Sequence, residues 1–330
     1  MAKPKVLVTR RVHEDALRQL EARCRVDLWQ EDRPMPRDEL LRRVADVEGL
    51  YSMLTDRVDE ELLDKAPRLR VVSNMAVGYD NIDVQACTRR GIPVGHTPGV
   101  LTDTTADLAF ALILAAARRL VEGVDYVRAG KWTTWSPDLL LGYDVYGSTL
   151  GILGLGRIGA AVARRALGFG MRVLYTSRRR HEETEAALGL THVDLDTLLA
   201  ESDILSIHTP LTSETYHMIG EQELRRMKPT AILVNTARGG VVDPDALYRA
   251  LREGWIAYAG LDVTEPEPIP VDHPLLSLPN CIILPHIGSA THATRRRMAL
   301  IAAENLLAGL QGIPLPHCVN PEVYTIQTHR

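Results

Sequence analysis

The sequence predicts an α/β fold built from two doubly wound parallel sheets. Three observations carry this. Short β-branched runs alternate with longer amphipathic stretches, the pattern of strands joined by crossover helices. The alternation breaks at a long apolar helical stretch and restarts near Ser148. One strand of the second series runs straight into a glycine-rich turn that opens a helix. At 330 residues the chain can bury two separate cores.

The first series reads as strands Lys5–Thr9, Gly49–Ser52, Val71–Asn74 and Pro93–Gly95. Helices His13–Glu21, Arg37–Val44, Glu60–Lys65 and Val84–Arg90 lie between them, and the series ends near His96-Thr97-Pro98-Gly99. One long helix is then expected over Asp103–Ala129, with Thr102 or Asp103 as N-cap and Gly130 as its stop. Its nearly all-apolar stretch Ala106–Ala117 should be buried. Lys131–Tyr146, rich in Trp, Tyr, Pro and Gly, reads as an irregular excursion.

The second series has strands Thr149–Leu153, Arg172–Thr176, Ile204–His208, Ala231–Asn235, Tyr258–Asp262 and Ile282–Pro285. A second long helix, Ala290–Leu310, follows. Because the two long helices bracket this series, the chain beyond it is expected to return to the first domain. That gives a discontinuous domain of 1–99 and 288–330 around an inserted domain of 100–287.

Composition narrows the function. Hydrophobic residues at 45% and charged residues at 24% are ordinary for a globular protein. A net charge of −4 argues against nucleic acid or anionic membrane as the main partner. No apolar run approaches the roughly 20 residues that cross a bilayer, and the N-terminus lacks an apolar signal core. Cys24, Cys87, Cys281 and Cys318 are scattered, as expected of reduced thiols in a cytoplasmic protein.

Thr149–Leu153 feeds into Gly154-Leu155-Gly156-Arg157-Ile158-Gly159, and the helix Arg157–Leu167 follows. In this context the first glycine serves a tight turn, the second lets a pyrophosphate approach the backbone, and the third lets helix and strand pack closely. The anion then meets free amides at the positive end of a helix. NAD-selective sites place an acid at the end of the next strand, to bind the ribose 2′-hydroxyl. Here Thr176 runs into Ser177-Arg178-Arg179-Arg180, with no acid before Glu182. Guanidinium groups pair with a 2′-phosphate that a carboxylate would repel. NADPH is therefore expected, with NAD as the weaker alternative.

Three polar residues stand where strands end, the edge at which such sheets bind ligands. Arg238 lies in Asn235-Thr-Ala-Arg-Gly-Gly240, Glu267 in Leu261-Asp-Val-Thr-Glu-Pro-Glu-Pro268, and His286 in Pro285-His-Ile-Gly-Ser289. Reducing a 2-keto acid needs a fixed cation for the carboxylate and a proton donor for the developing alkoxide. Arginine suits the first task and histidine the second, and a carboxylate beside the histidine would orient it and favour its charged form.

With Asn74-Met-Ala-Val-Gly-Tyr-Asp-Asn-Ile-Asp83 and Pro285-His-Ile-Gly-Ser-Ala-Thr-His292, these motifs resemble those of the D-2-hydroxyacid dehydrogenases, and among them the glyoxylate/hydroxypyruvate reductases. The resemblance spans about Val71 to Leu310. It implies a Rossmann coenzyme domain inserted into a flavodoxin-like substrate domain, with Arg238, Glu267 and His286 (general acid) as the catalytic trio. It also implies that the amides of Val77 and Gly78 receive the substrate carboxylate, with Leu54, Met53 and Ser289 nearby. Thr209, Pro210, Thr236, Ala237, Asp262 and Gly288 would line the cofactor groove, Asp262 at the nicotinamide carboxamide. Lys131-Trp-Thr-Thr-Trp-Ser-Pro137 resembles the exchanged arm of dimeric reductases, in which Trp135 would approach the partner subunit's active site.

Rival readings are kept in view. A 3-phosphoglycerate dehydrogenase is disfavoured by the missing acid at Ser177 and by the absence of a regulatory domain after the last helix. A formate dehydrogenase would carry Gln at Glu267. A dinucleotide-sensing corepressor of this fold would be expected to have flexible tails.

Overall fold

The computed structural model describes residues 3–327 and divides into two compact units, one running to Leu101 and resuming at Ala290, the other Thr102–Ser289. Each crossing falls two residues later than the sequence suggested. At the first, Leu101 directly precedes the helix Thr102–Ala117. At the second, Asp262 takes the amides of Ile287 and Gly288 and so keeps Gly288 and Ser289 with the coenzyme-type unit.

The first unit holds a five-stranded parallel sheet: β1 (Lys5–Val8), β2 (Arg25–Leu28), β3 (Gly49–Ser52), β4 (Val71–Asn74) and β5 (Val94–Gly95), in the order β2-β1-β3-β4-β5. This is the flavodoxin-like order. Strands β3 and β4 are buried along their whole length, as in a parallel sheet covered on both faces. Helix His292–Leu310 packs on β3 and β4, with Thr291 as N-cap accepting from the Thr294 amide.

The second unit holds seven parallel strands: β6 (Thr149–Leu153), β7 (Arg172–Thr176), β8 (Thr191–His192), β9 (Ile204–Ile207), β10 (Ile232–Asn235), β11 (Tyr258–Leu261) and β12 (Cys281–Ile283). Their order is β12-β11-β10-β9-β6-β7-β8. This is the doubly wound Rossmann order, which reverses between β6 and β9. Helices Thr102–Ala117 and Arg157–Leu167 cover one face with a core that includes Ile113, Leu150 and Ile152. Leu198, Leu205 and Leu233 lie in a second core. Truncating fully buried Leu150 or Leu205 to alanine costs about 2–5 kcal/mol.

The helix expected over Asp103–Ala129 is two helices, Thr102–Ala117 and Leu120–Arg128. The carbonyl of Ala117 accepts the amide of Tyr143, and Arg119 turns left-handed at φ 51 with its guanidinium on Glu122. The second helix buries none of its residues. Among the described residues, no helix is long and apolar enough to cross a membrane.

Candidate active site

The carboxyl ends of β6, β7 and β9 to β12 form the ligand edge of the second sheet, and the order reverses between β6 and β9. Gly154 closes β6 there with φ +96, and a Cβ on it would lie 2.9 Å from the His208 carbonyl and the Thr209 amide, at the end of β9. A Cβ on Gly159 would lie 2.3 Å from the Gly154 carbonyl, so helix and turn touch only without a side chain. Gly156 differs: it is exposed, and a Cβ there would meet nothing within 4 Å. The space over it is open, beside the first amides of helix Arg157–Leu167, which have no acceptor within the helix. Leu155 is buried, Ile158 half-buried and Arg157 exposed.

Further along the edge, buried Thr236 has an Oγ1 without a hydrogen-bond partner. Thr209 is half-buried and Pro210 exposed, its carbonyl accepting from Thr215 Oγ1 at 2.7 Å. An open space over Gly156 and an orphaned hydroxyl at the end of β10 are what a dinucleotide laid along this edge would use. The residues present fit one.

Beyond β7, Ser177 Oγ donates to the Arg179 carbonyl at 2.5 Å, folding the arginine run into a tight turn. Arg180 is engaged by Glu185, Nη2 to Oε2 at 2.9 Å. Arg178 and Arg179 are exposed, without an ion-pair partner among the described residues.

At the ends of β10 to β12 the structure gathers Arg238, Glu267 and His286. Buried Asn235 shapes the arginine turn: its Nδ2 donates to the Arg238 carbonyl at 2.9 Å and its Oδ1 accepts the Ala237 amide at 3.0 Å. Arg238 Nη1 reaches the Ala237 carbonyl at 2.8 Å. His286 donates from Nδ1 to Glu267 Oε1 at 2.6 Å, a bond that leaves Nε2 out. Burial pushes the Glu267 carboxyl up, but the His286 hydrogen bond and charge, the Thr264 amide and the Arg238 charge outweigh it and hold the group below the ordinary range.

His286 sits at φ 54, a conformation a non-glycine residue holds only where its surroundings impose it. The constraint comes from Asp262, whose Oδ1 and Oδ2 accept the amides of Ile287 and Gly288, each at 2.7 Å. Burial raises the Asp262 carboxyl above its usual range against the pull of those two amides. Thr105 Oγ1 donates to the Gly288 carbonyl at 3.2 Å, and Ser289 is buried beside it. Sequence reasoning missed Asn235 and Thr105. Asn235 was visible inside the arginine motif, whereas Thr105 lies far away in the chain and left no local signal.

In the first unit, the carbonyl of Gly78 accepts from Asn74 Nδ2 at 3.1 Å and that of Val77 from His96 Nδ1 at 3.0 Å. Neither amide is engaged among the described residues. Leu54 and Met53 are half-buried in the turn after β3. Trp135 is 77% exposed in its own chain.

This edge defines the class: an oxidoreductase working with a nicotinamide dinucleotide. Residues 110–288 match the family described as D-isomer specific 2-hydroxyacid dehydrogenase, NAD binding domain. The glyoxylate reductase of Korarchaeum cryptofilum is 58% identical over 326 residues, 98% of each chain. That of Thermococcus litoralis is 53% identical over 327 residues, again 98% of each. A solved protein of Thermus thermophilus matches with TM-score 0.90 and 51% identity, over 96% of this chain and 99% of that one. The NADPH-dependent glyoxylate/hydroxypyruvate reductase of Sinorhizobium meliloti, solved with NADP and malonate, matches with TM-score 0.84 and 33% identity, over 97% and 98%. The chain belongs to the D-2-hydroxyacid dehydrogenases and is glyoxylate-reductase-like.

Proposed function

We propose that the protein reduces small 2-keto acids with NADPH, glyoxylate to glycolate and hydroxypyruvate to D-glycerate. The observation that carries this is the His286–Glu267 hydrogen bond of 2.6 Å with the charge of Arg238 acting on the same carboxylate. Relatives named glyoxylate reductase and an NADPH-dependent neighbour support the substrate and the coenzyme.

Gly154 to Gly159, Thr209, Pro210, Thr236, Ala237, Asp262 and Gly288 would hold the dinucleotide, with Ser177, Arg178 and Arg179 at its 2′-phosphate. When bound there, the coenzyme would supply the hydride that C2 of the keto acid takes up. Arg238 pairs with the substrate carboxylate and polarises the carbonyl, with Ser289 as a further contact. In the first unit, the unengaged amides of Val77 and Gly78, with Leu54, are the groups suited to bind a carboxylate. His286 gives its Nε2 proton to the oxygen as C2 becomes tetrahedral, while Nδ1 stays on Glu267. Glu267 stabilises the charged ring before transfer and fixes its orientation. His286 then takes a proton from solvent.

The reading includes a cytoplasmic homodimer. Leu120, Val121, Val124, Val127, Trp132 and Trp135 are all exposed in one stretch of chain, apolar surface of the kind a second copy would cover. The four free thiols suit a reducing compartment. A steady-state panel of keto acids with NADPH and with NADH tests the reading. Highest kcat/KM is expected for glyoxylate or hydroxypyruvate with NADPH. A preference for NADH, or for a phosphorylated hydroxy acid, would overturn it.

A further inference from the structure

One more histidine–carboxylate pair stands on this sheet edge, outside the trio. His217 Nε2 donates to Glu265 Oε2 at 2.6 Å. His217 lies beyond β9 with φ 49, its ring stacked on Tyr216 with centroids 4.0 Å apart. Its amide bonds the Gly240 carbonyl at 2.8 Å, and Ile219 forms a parallel bridge with Val242. The turn after β9 is thereby sewn to the segment that carries Arg238. That segment in turn lies against the segment of Glu265: a Cβ on Gly239 would be 2.0 Å from the Thr264 carbonyl and 2.7 Å from the Glu265 amide. Glu265 precedes Glu267 by one intervening proline. Inside its own loop Glu267 has little support, a long 3.4 Å contact from the Thr264 amide and a 2.9 Å bond from Thr264 Oγ1 to the Pro266 carbonyl.

We propose that His217 and Glu265 are positioning residues for the reaction, holding the loop after β11 against the Arg238 segment so that the Glu267 carboxylate meets His286 Nδ1. The inference rests on the catalytic reading of Arg238, Glu267 and His286 given above. Both partners are about a third exposed, so the pair adds little to stability. Its effect lies in geometry, where a displacement of an ångström at a catalytic group is costly.

A double-mutant cycle tests it. His217→Asn suits the left-handed backbone but is too short to reach Glu265. It is combined with Glu267→Ala, and kcat, both KM values and Tm are measured with glyoxylate and NADPH. Alone, His217→Asn should lower kcat roughly tenfold with the KM for NADPH unchanged within about twofold. On top of Glu267→Ala it should cost less than about twofold more, because coupled residues are not additive. Glu265→Ala should match His217→Asn, whereas Glu265→Gln, which keeps an acceptor for Nε2–H, should recover most of the turnover. Glu265→Ala runs the same cycle if His217→Asn yields too little folded protein. Equal losses in both backgrounds, or undiminished kcat in both His217→Asn and Glu265→Ala, would overturn the proposal while leaving the catalytic reading intact. Undiminished kcat in Glu267→Ala alone would sink the catalytic reading, and the positioning role with it.

Discussion

His286 and His217 share a local geometry. Each sits at positive φ, 54 and 49, and each donates to a glutamate at 2.6 Å, with side chains about a third exposed. What differs is the company. His286 follows β12, its loop pinned by the buried Asp262 carboxylate, and its glutamate feels the charge of Arg238. His217 has one ring face covered by Tyr216, and its main chain is tied to Gly240. On the proposed reading, a histidine–carboxylate pair is therefore no mark of proton transfer by itself. The neighbouring Arg238 charge and the loop pinned by Asp262 are what set the His286 pair apart.

The widest gap between the pairs should appear at His286 itself. His286→Ala is expected to lower kcat by about 10²–10⁴-fold, against the tenfold expected at His217; similar losses would erase the contrast. Next comes Arg238→Ala, expected to lower kcat and raise the keto-acid KM, together costing about 10²–10³-fold in kcat/KM. A change in KM alone would reduce Arg238 to a binding role.

A smaller effect is expected from the double change Arg178→Ala and Arg179→Ala. It should raise the KM for NADPH about tenfold and leave the KM for NADH nearly unchanged; equal changes for both coenzymes would remove the 2′-phosphate assignment. Trp135→Ala should shift relative kcat/KM values among keto acids more than NADPH binding, a comparison made on the same panel.

A third histidine gives the contrast a pH axis. His208 has no carboxylate partner among the described residues, and burial pushes its imidazole down to about 4, with Nε2 on Ser206 Oγ at 2.8 Å. The unfolded chain, with an ordinary histidine near 6.5, then binds more protons than the folded one between those values. Stability is full above pH 6.5 and falls as pH drops toward 4, by roughly 2–3 kcal/mol from this group. Urea unfolding at pH 7 and pH 5 checks it, and His208→Asn should flatten the slope.

Much of the fold was legible because short β-branched or aliphatic runs, as in β4 and β9, alternate with amphipathic helical stretches. Strand β2 was not, since Arg25–Leu28 is a half-covered edge of mixed polarity, and β8 has only two residues. The break at Arg119 escaped because neither glycine nor proline marks it, and because the apolar spacing continues through Val127 on a surface that is exposed. In the site, the glycine turn was readable from its place between a strand and a helix, which its spacing alone would not have shown. Arg238, Glu267 and His286 needed the family resemblance, since strand ends bring them together from separate motifs. His217 and Glu265 left no trace, being joined only by the adjacency of the β9, β10 and β11 ends.

Strand order also bears on how such a protein can change over generations. Strand β7, which ends in the arginine turn, pairs with β6 and β8 and with neither β10, β11 nor β12. A substitution at Ser177, Arg178 or Arg179 thus has no strand neighbour that carries Arg238, Glu267 or His286. On the proposed reading, preference between two electron carriers could drift on one wing of the sheet while the other conserves its chemistry, with no strand pairing to demand a compensating mutation across the sheet.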